Sequence, residues 1–303
     1  MTIRFYCPNC DALIAFPDKH RGKRARCLTC GQLFIIPSGD DETPQKVEPP
    51  QIEKAGPLPG FYRALFIDSW KIFINPNNAT GLVFVIAAVC FKFFTAHTDY
   101  SFNMGMGRFQ APTGLIITIA AWGCLFWYYM EIIYSTAFDQ DQLPDVYMGG
   151  LFGFIWNIIN SVFLFAIALI VVLVPCIISL VILGKPDDPY PVLSQVLAIV
   201  GLFAFPMAIL ILAVGREPAM LLRPDYIFQP VIRAFFPYLV ATALFILAWQ
   251  LQLWAVDYGK LLHKPNAVVA LHLLANLGVQ VVAIIAMRSI GLFYRHYPSH
   301  FPW

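Results

Sequence analysis

The sequence predicts a small β-rich head followed by an all-α polytopic membrane domain of about six transmembrane helices with cytosolic interfacial elbow helices. Three observations predict this. Of 303 residues, 59% are hydrophobic and 13% charged. With Gly counted in place of Tyr the apolar share is about 61%, against roughly 45–50% in soluble domains. Charge is concentrated at the start, where residues 1–75 hold 10 of the 20 Lys/Arg and 8 of the 18 Asp/Glu. Beyond them, apolar runs of roughly 18–25 residues, long enough to cross a bilayer core, follow one another to the end of the chain. These proportions argue against an ordinary soluble enzyme. No apolar run separates a basic start from a small-residue cleavage site, so no cleavable signal peptide is expected.

In the head, Cys7-Pro-Asn-Cys10 and Cys27-Leu-Thr-Cys30 are separated by sixteen residues. This is the spacing of a four-cysteine structural zinc site: two tight knuckles each offer two thiolates to one tetrahedron. Strands are expected at Ile3 to Tyr6, Ala12 to Phe16 and Leu33 to Ile36, rich in β-branched and aromatic residues. About 36 residues cannot bury enough apolar surface to fold alone, so one bound Zn2+ would supply the missing folding energy. A disulfide reading is the weaker alternative, because the rest of the chain points to a cytosolic head. Cys90, Cys124 and Cys176 lie singly in apolar runs and read as small hydrophobes.

The stretch YCPNCDALIAFPDKHRGKRARCLTCGQLFIIP resembles a family of small prokaryotic zinc ribbons that open with a CPxC knuckle and close with CxxCG-x-x-F. The resemblance covers residues 3–37 and implies that Cys7, Cys10, Cys27 and Cys30 bind zinc, with Gly31 in the closing knuckle. Asp11 stands where such knuckles commonly have Gly, a position that Asp tolerates better than most residues. Members are modules fused to unrelated partners, so the resemblance implies a metal-stabilised adaptor and no chemistry. Residues 1–37 are thus read as the ribbon.

Between the knuckles, Lys19, Arg21, Lys23, Arg24 and Arg26 place five positive charges in eight residues. They offer contact to an anion or an anionic lipid. The simpler reading is that they balance a zinc–tetrathiolate centre of net charge −2. Nucleic acid is disfavoured, since no aromatic-interleaved basic face accompanies the run. Residues 38–60, acidic and proline-rich, are expected to form a semi-extended tether.

Residues 61–303 form the six-span body. Phe61 to Phe73 reads as an interfacial elbow, followed by spans at about 79–96, 113–136, 154–182, 192–214, 235–256 and 267–291. The third contains Pro175, which leaves counts of five or seven open. With the amino terminus inside, 15 Lys/Arg fall on the cytosolic side and 4 on the other, Lys92 lying within the first span. The positive-inside rule therefore places both termini in the cytosol of a bacterium-like plasma (inner) membrane. A faint repeat links Leu143-Pro144-Asp145 and Arg223-Pro224-Asp225, each followed by an aromatic stretch and a span. It suggests three elbow-plus-hairpin units. The body is loosely similar to Yip-type and related bacterial multi-pass families of unknown function, and no motif carries residues over.

Polar side chains at membrane depth are costly and hence candidate sites. His272, Asn276 and Gln280 fall four apart on the last span, while Glu131, Asn157, Asn160 and Arg288 lie near the cytosolic ends of theirs. They would serve either as packing glue, including a Glu131–Arg288 pair, or as a solute path. Lys92 is expected to snorkel to the headgroups. His296 and His300 are four apart, but their aromatic tail reads as an interfacial anchor rather than a metal site. No HExxH, GxSxG, P-loop or paired intramembrane Asp signature occurs, so no enzyme is expected. The leading expectation is a membrane scaffold that displays the ribbon to a cytosolic protein partner. A small transporter or channel with the ribbon as accessory is the alternative, and self-association stays open.

Overall fold

The computed structural model describes residues 2–7, 13–17, 22, 24–26, 33–36, 45–46, 57–98, 100–104, 107–138, 141–146, 150–183, 191–215 and 217–302. The chain divides into two compact units, Met1–Ala55 and Gly56–Trp303.

In the first unit β1 (Thr2–Tyr6) and β2 (Leu13–Pro17) pair antiparallel, with Thr2 opposite Pro17 and Tyr6 opposite Leu13. A second sheet has the order β3 (Arg24–Arg26), β4 (Leu33–Ile35), β5 (Gln45–Lys46). Cys7 and Ile36 are fully buried and Phe5 nearly so. Two features differ from the sequence reading. The last three of the eight residues of the basic run form a strand, Arg24–Arg26, and part of the acidic tether pairs with β4, Ile35 standing opposite Gln45. The open edge of β4 offers backbone groups that need partners, and Gln45–Lys46 is a proline-free step between Pro44 and Pro49.

The second unit opens with the elbow, built of α1 (Phe61–Arg63), a π turn (Ala64–Asp68) and α2 (Ser69–Lys71). Phe61, Leu65, Ser69 and Ile72 are buried, whereas Tyr62, Phe66, Ile67 and Trp70 are exposed. That spacing gives a short helix one face for the core and one for an interface. Six helices long and apolar enough to cross a membrane follow: α3 (Ala79–Thr95, its span opening at Pro76), α4 (Thr113–Ala137), α5 (Leu151–Leu183), α6 (Val192–Gly215), α8 (Phe235–Trp254) and α9 (Asn266–His296). The chain is thus a multi-pass membrane protein. The third apolar run is one helix carrying Pro175 inside it, which settles the count at six among the described residues. A short hairpin of β6 (Tyr100–Met104) and β7 (Gly107–Ala111) joins α3 to α4.

Consecutive spans form three hairpins, α3–α4, α5–α6 and α8–α9, and α4 also packs against α5, α6 and α9. Close approach is bought with small residues. A Cβ on Gly201 of α6 would stand 2.4 Å from the Val172 carbonyl oxygen of α5, and one on Gly291 of α9 would stand 2.7 Å from that of Ile133 on α4. Burial is heaviest towards the elbow end: Ala204 to Ala213 of α6 and Ala286 to Phe293 of α9 are buried without interruption.

The three units are unequal. The third has a separate elbow, α7 (Pro224–Arg233), broken from α8 at Ala234 (φ −130°, ψ 52°). In the second, the elbow expected from the aromatic stretch after Leu143-Pro144-Asp145 does not stand apart. Residues 141–146 are irregular, and from Leu151 the chain is already α5. Nothing between Leu151 and Pro175 breaks a helix, and 33 residues extend about 50 Å, well beyond a core of about 30 Å.

Candidate functional site

The last span carries the polar stripe, and the structure closes it with protein. Asn276 is 3% exposed; its Nδ2 donates to the carbonyl oxygens of Val256 (3.1 Å) and His272 (2.9 Å). Gln280, 4% exposed, donates from Nε2 to Oε1 of Gln252 on α8 at 2.9 Å, and its own Oε1 accepts from the Tyr129 hydroxyl of α4. His272 is half-buried and contributes its backbone oxygen. The stripe therefore ties α4, α8 and α9 together through neutral hydrogen bonds. Such bonds are worth most where water is excluded.

Glu131, Asn157 and Asn160 come together elsewhere, lining a cavity of about 260 Å³ with Trp127, Tyr134 and Ser161 between α4, α5 and α6. Ser161 donates to the Gly123 carbonyl at 2.8 Å, where the α4 and α5 backbones meet. Asn160 and Phe163 are exposed, so the cavity opens on the flank of the bundle.

Arg288 belongs to neither group. Its side chain is 3% exposed, and its carboxylate partner is Asp141 (Nη2–Oδ1 3.2 Å), with the Asp141 carbonyl at 3.4 Å from Nη1. Arg295 meets the same Oδ1 at 2.9 Å. This replaces the Glu131–Arg288 pair anticipated from sequence, because Glu131 faces α5 while Arg288 lies under the α4–α5 connection. Burial pushes the Asp141 carboxyl up, but the Arg295 hydrogen bond and both guanidinium charges outweigh it and hold the group below its ordinary value. Lys92 has a partner that the sequence did not announce. Its ammonium, 12% exposed, pairs at 2.9 Å with Asp257, which lies just beyond the end of α8.

Of the head residues, Cys7 is buried directly after β1. Cys10, Cys27, Cys30, Lys19, Arg21 and Lys23 lie outside the described residues, as do the side chains of Arg24 and Arg26. Among the described residues no group of three or more His, Cys, Asp or Glu is placed to hold a metal.

Sequence reading missed Asn78, which is 1% exposed. Its Nδ2 donates to the Ile72 carbonyl and its Oδ1 accepts from Leu143 N, both at 2.9 Å, so it pins the elbow to the α4–α5 connection. It sits in a Pro-Asn-Asn turn, where a helix-entry role hides a tertiary one. Protein-family models, curated proteins and solved structures were compared with the chain, and none matches.

Proposed function

We propose that this protein is a membrane-anchored scaffold whose amino-terminal head is a four-cysteine zinc adaptor for a cytosolic protein partner. The observation that carries the reading is the closed polar stripe: Asn276 and Gln280 are spent on helix–helix bonds. A solute path would leave them wet. The head would hold one Zn2+ through Cys7, Cys10, Cys27 and Cys30. Its supports are the paired CxxC spacing, the position of Cys7 and Cys10 between β1 and β2 and of Cys27 and Cys30 between β3 and β4, and the burial of Cys7. Thiolates are ligands of choice for structural zinc. An even number of spans puts Phe61 and His296 on one side of the membrane, and the Lys/Arg excess makes that side the cytosol of a plasma membrane.

One comparison tests the function. At matched abundance, Cys27→Ser should lose both zinc and cellular activity, whereas Asn276→Leu and His272→Phe should keep activity. The reverse pattern, with an intact phenotype in Cys27→Ser and loss in the span variants, overturns the scaffold in favour of a transporter. Reporters fused after Arg223 and after Pro186 should read cytosolic and external; exchanged signals overturn the orientation.

A further inference from the structure

We propose that the cavity beneath the elbow binds the phosphate of an anionic lipid headgroup. This does not rest on the adaptor reading. The cavity measures about 430 Å³ and is lined by Asp68, Lys71 and Asn75 on the elbow side, Asp141 from the α4–α5 connection, and Arg288 and Arg295 of α9. Three cations, Lys71, Arg288 and Arg295, thus line the cavity against two carboxylates, an excess suited to an anion.

Three observations go beyond a charge count. The Arg288 guanidinium, 3% exposed, is held away from water, and its Nε finds no hydrogen-bond partner. A guanidinium has five N–H donors, and the contacts to Asp141 leave it unsaturated. A buried donor without an acceptor is costly, and a phosphate, whose oxygens match the planar fork, would supply acceptors. Second, the carboxylate now facing Arg288 is itself 67% exposed, so Asp141 can turn into water at small cost and yield its place to an incoming anion. Third, Tyr62, Phe66, Ile67 and Trp70 cover the opposite, exposed face of the elbow. Aromatic residues of this kind settle at headgroup level. The cavity therefore lies at the depth of lipid phosphates, which favours a lipid over a soluble anion.

The test uses the full-length protein in detergent, with lipid retention followed by native mass spectrometry and thermal midpoints measured in parallel. Phosphatidylglycerol should be retained and should raise the midpoint, and phosphatidylcholine should do neither. Arg295→Gln and, independently, Lys71→Gln should each weaken phosphatidylglycerol retention about tenfold, the worth of one charged hydrogen bond, while the midpoint in phosphatidylcholine stays within a degree or so of wild type. Arg288→Lys, which keeps the charge and loses the fork, should show the same selective loss. Equal retention of the two lipids, or unchanged phosphatidylglycerol retention in Arg295→Gln and Lys71→Gln, overturns the site. Protection by inorganic phosphate equal to that by phosphatidylglycerol assigns the cavity to a soluble anion and overturns the lipid.

Discussion

The last helix carries two polar clusters of opposite character. Gln280 and Arg288 are eight residues apart, about 12 Å along the axis, and both are almost wholly buried. Around Gln280 every partner is neutral, and the Tyr129 and Gln252 side chains complete the amide. Around Arg288 the partner is a mostly exposed carboxylate, one donor is unpaired, and a cavity adjoins the group. Burial alone thus says little about use. The closed cluster holds three helices in place, and the open one has donors and room to spare.

The largest expected effect breaks the closed cluster. Gln280→Leu would leave the Tyr129 hydroxyl and the Gln252 amide without partners in a dry contact, at a cost of about 2–3 kcal/mol. Adding Tyr129→Phe removes one of the two orphans and should recover part of that loss. A double-mutant cycle on detergent unfolding checks it: strictly additive losses would mean that the three side chains do not form a unit.

Asp141→Asn sharpens the contrast at the open cluster. Losing the carboxylate leaves Arg288 and Arg295 with a neutral acceptor, and the expected destabilisation is about 1–2 kcal/mol, tempered by the exposure of Asp141. The same variant removes the internal competitor for an anion, so phosphatidylglycerol should protect it more than it protects wild type. Equal protection would make Asp141 a loop anchor and nothing more.

Asn276→Leu should cost about 1 kcal/mol or less in detergent stability, the worth of interhelical polar contacts in membrane bundles. Its two acceptors are backbone oxygens, one of them in its own helix, so little is orphaned. A loss as large as that of Gln280→Leu would place Asn276 in the same network.

What the sequence made legible follows from these particulars. Six apolar runs became six helices because length and apolarity are summed along the chain and need no partner. The four-residue spacing of His272, Asn276 and Gln280 marked one face, but the partners that decide its role, Tyr129 and Gln252, lie 151 and 28 residues from Gln280, and no local pattern announces them. Glu131 and Arg288 shared a depth, which invites pairing, yet helix rotation sends them to different neighbours. Lys92 pairs with Asp257 from 165 residues away, a partner that no local pattern announces. The second elbow is not separate because Pro-Asp signals a start but not whether the following helix will break.

The smallest effect concerns pH and separates the clusters by their ability to titrate. The Asp68 carboxyl is lowered first by the Lys71 hydrogen bond, and Asp141 is lowered despite burial. A carboxyl whose folded pKa lies below its unfolded value of about 3.9 stabilises the fold at higher pH, and that stabilisation is lost as pH falls through the folded pKa. Because the Asp141 side chain is 67% exposed and Asp68 is partly exposed, solvent screens both pairs and the loss should be small. Hydrogen exchange corrected for intrinsic rates should therefore show residues 141–146 opening as pH drops from neutral to below about 4, while amides around Gln280, whose partners carry no charge, keep their protection. Equal loosening at both places would mean that acid acts on the bundle as a whole and that the two clusters are not independent.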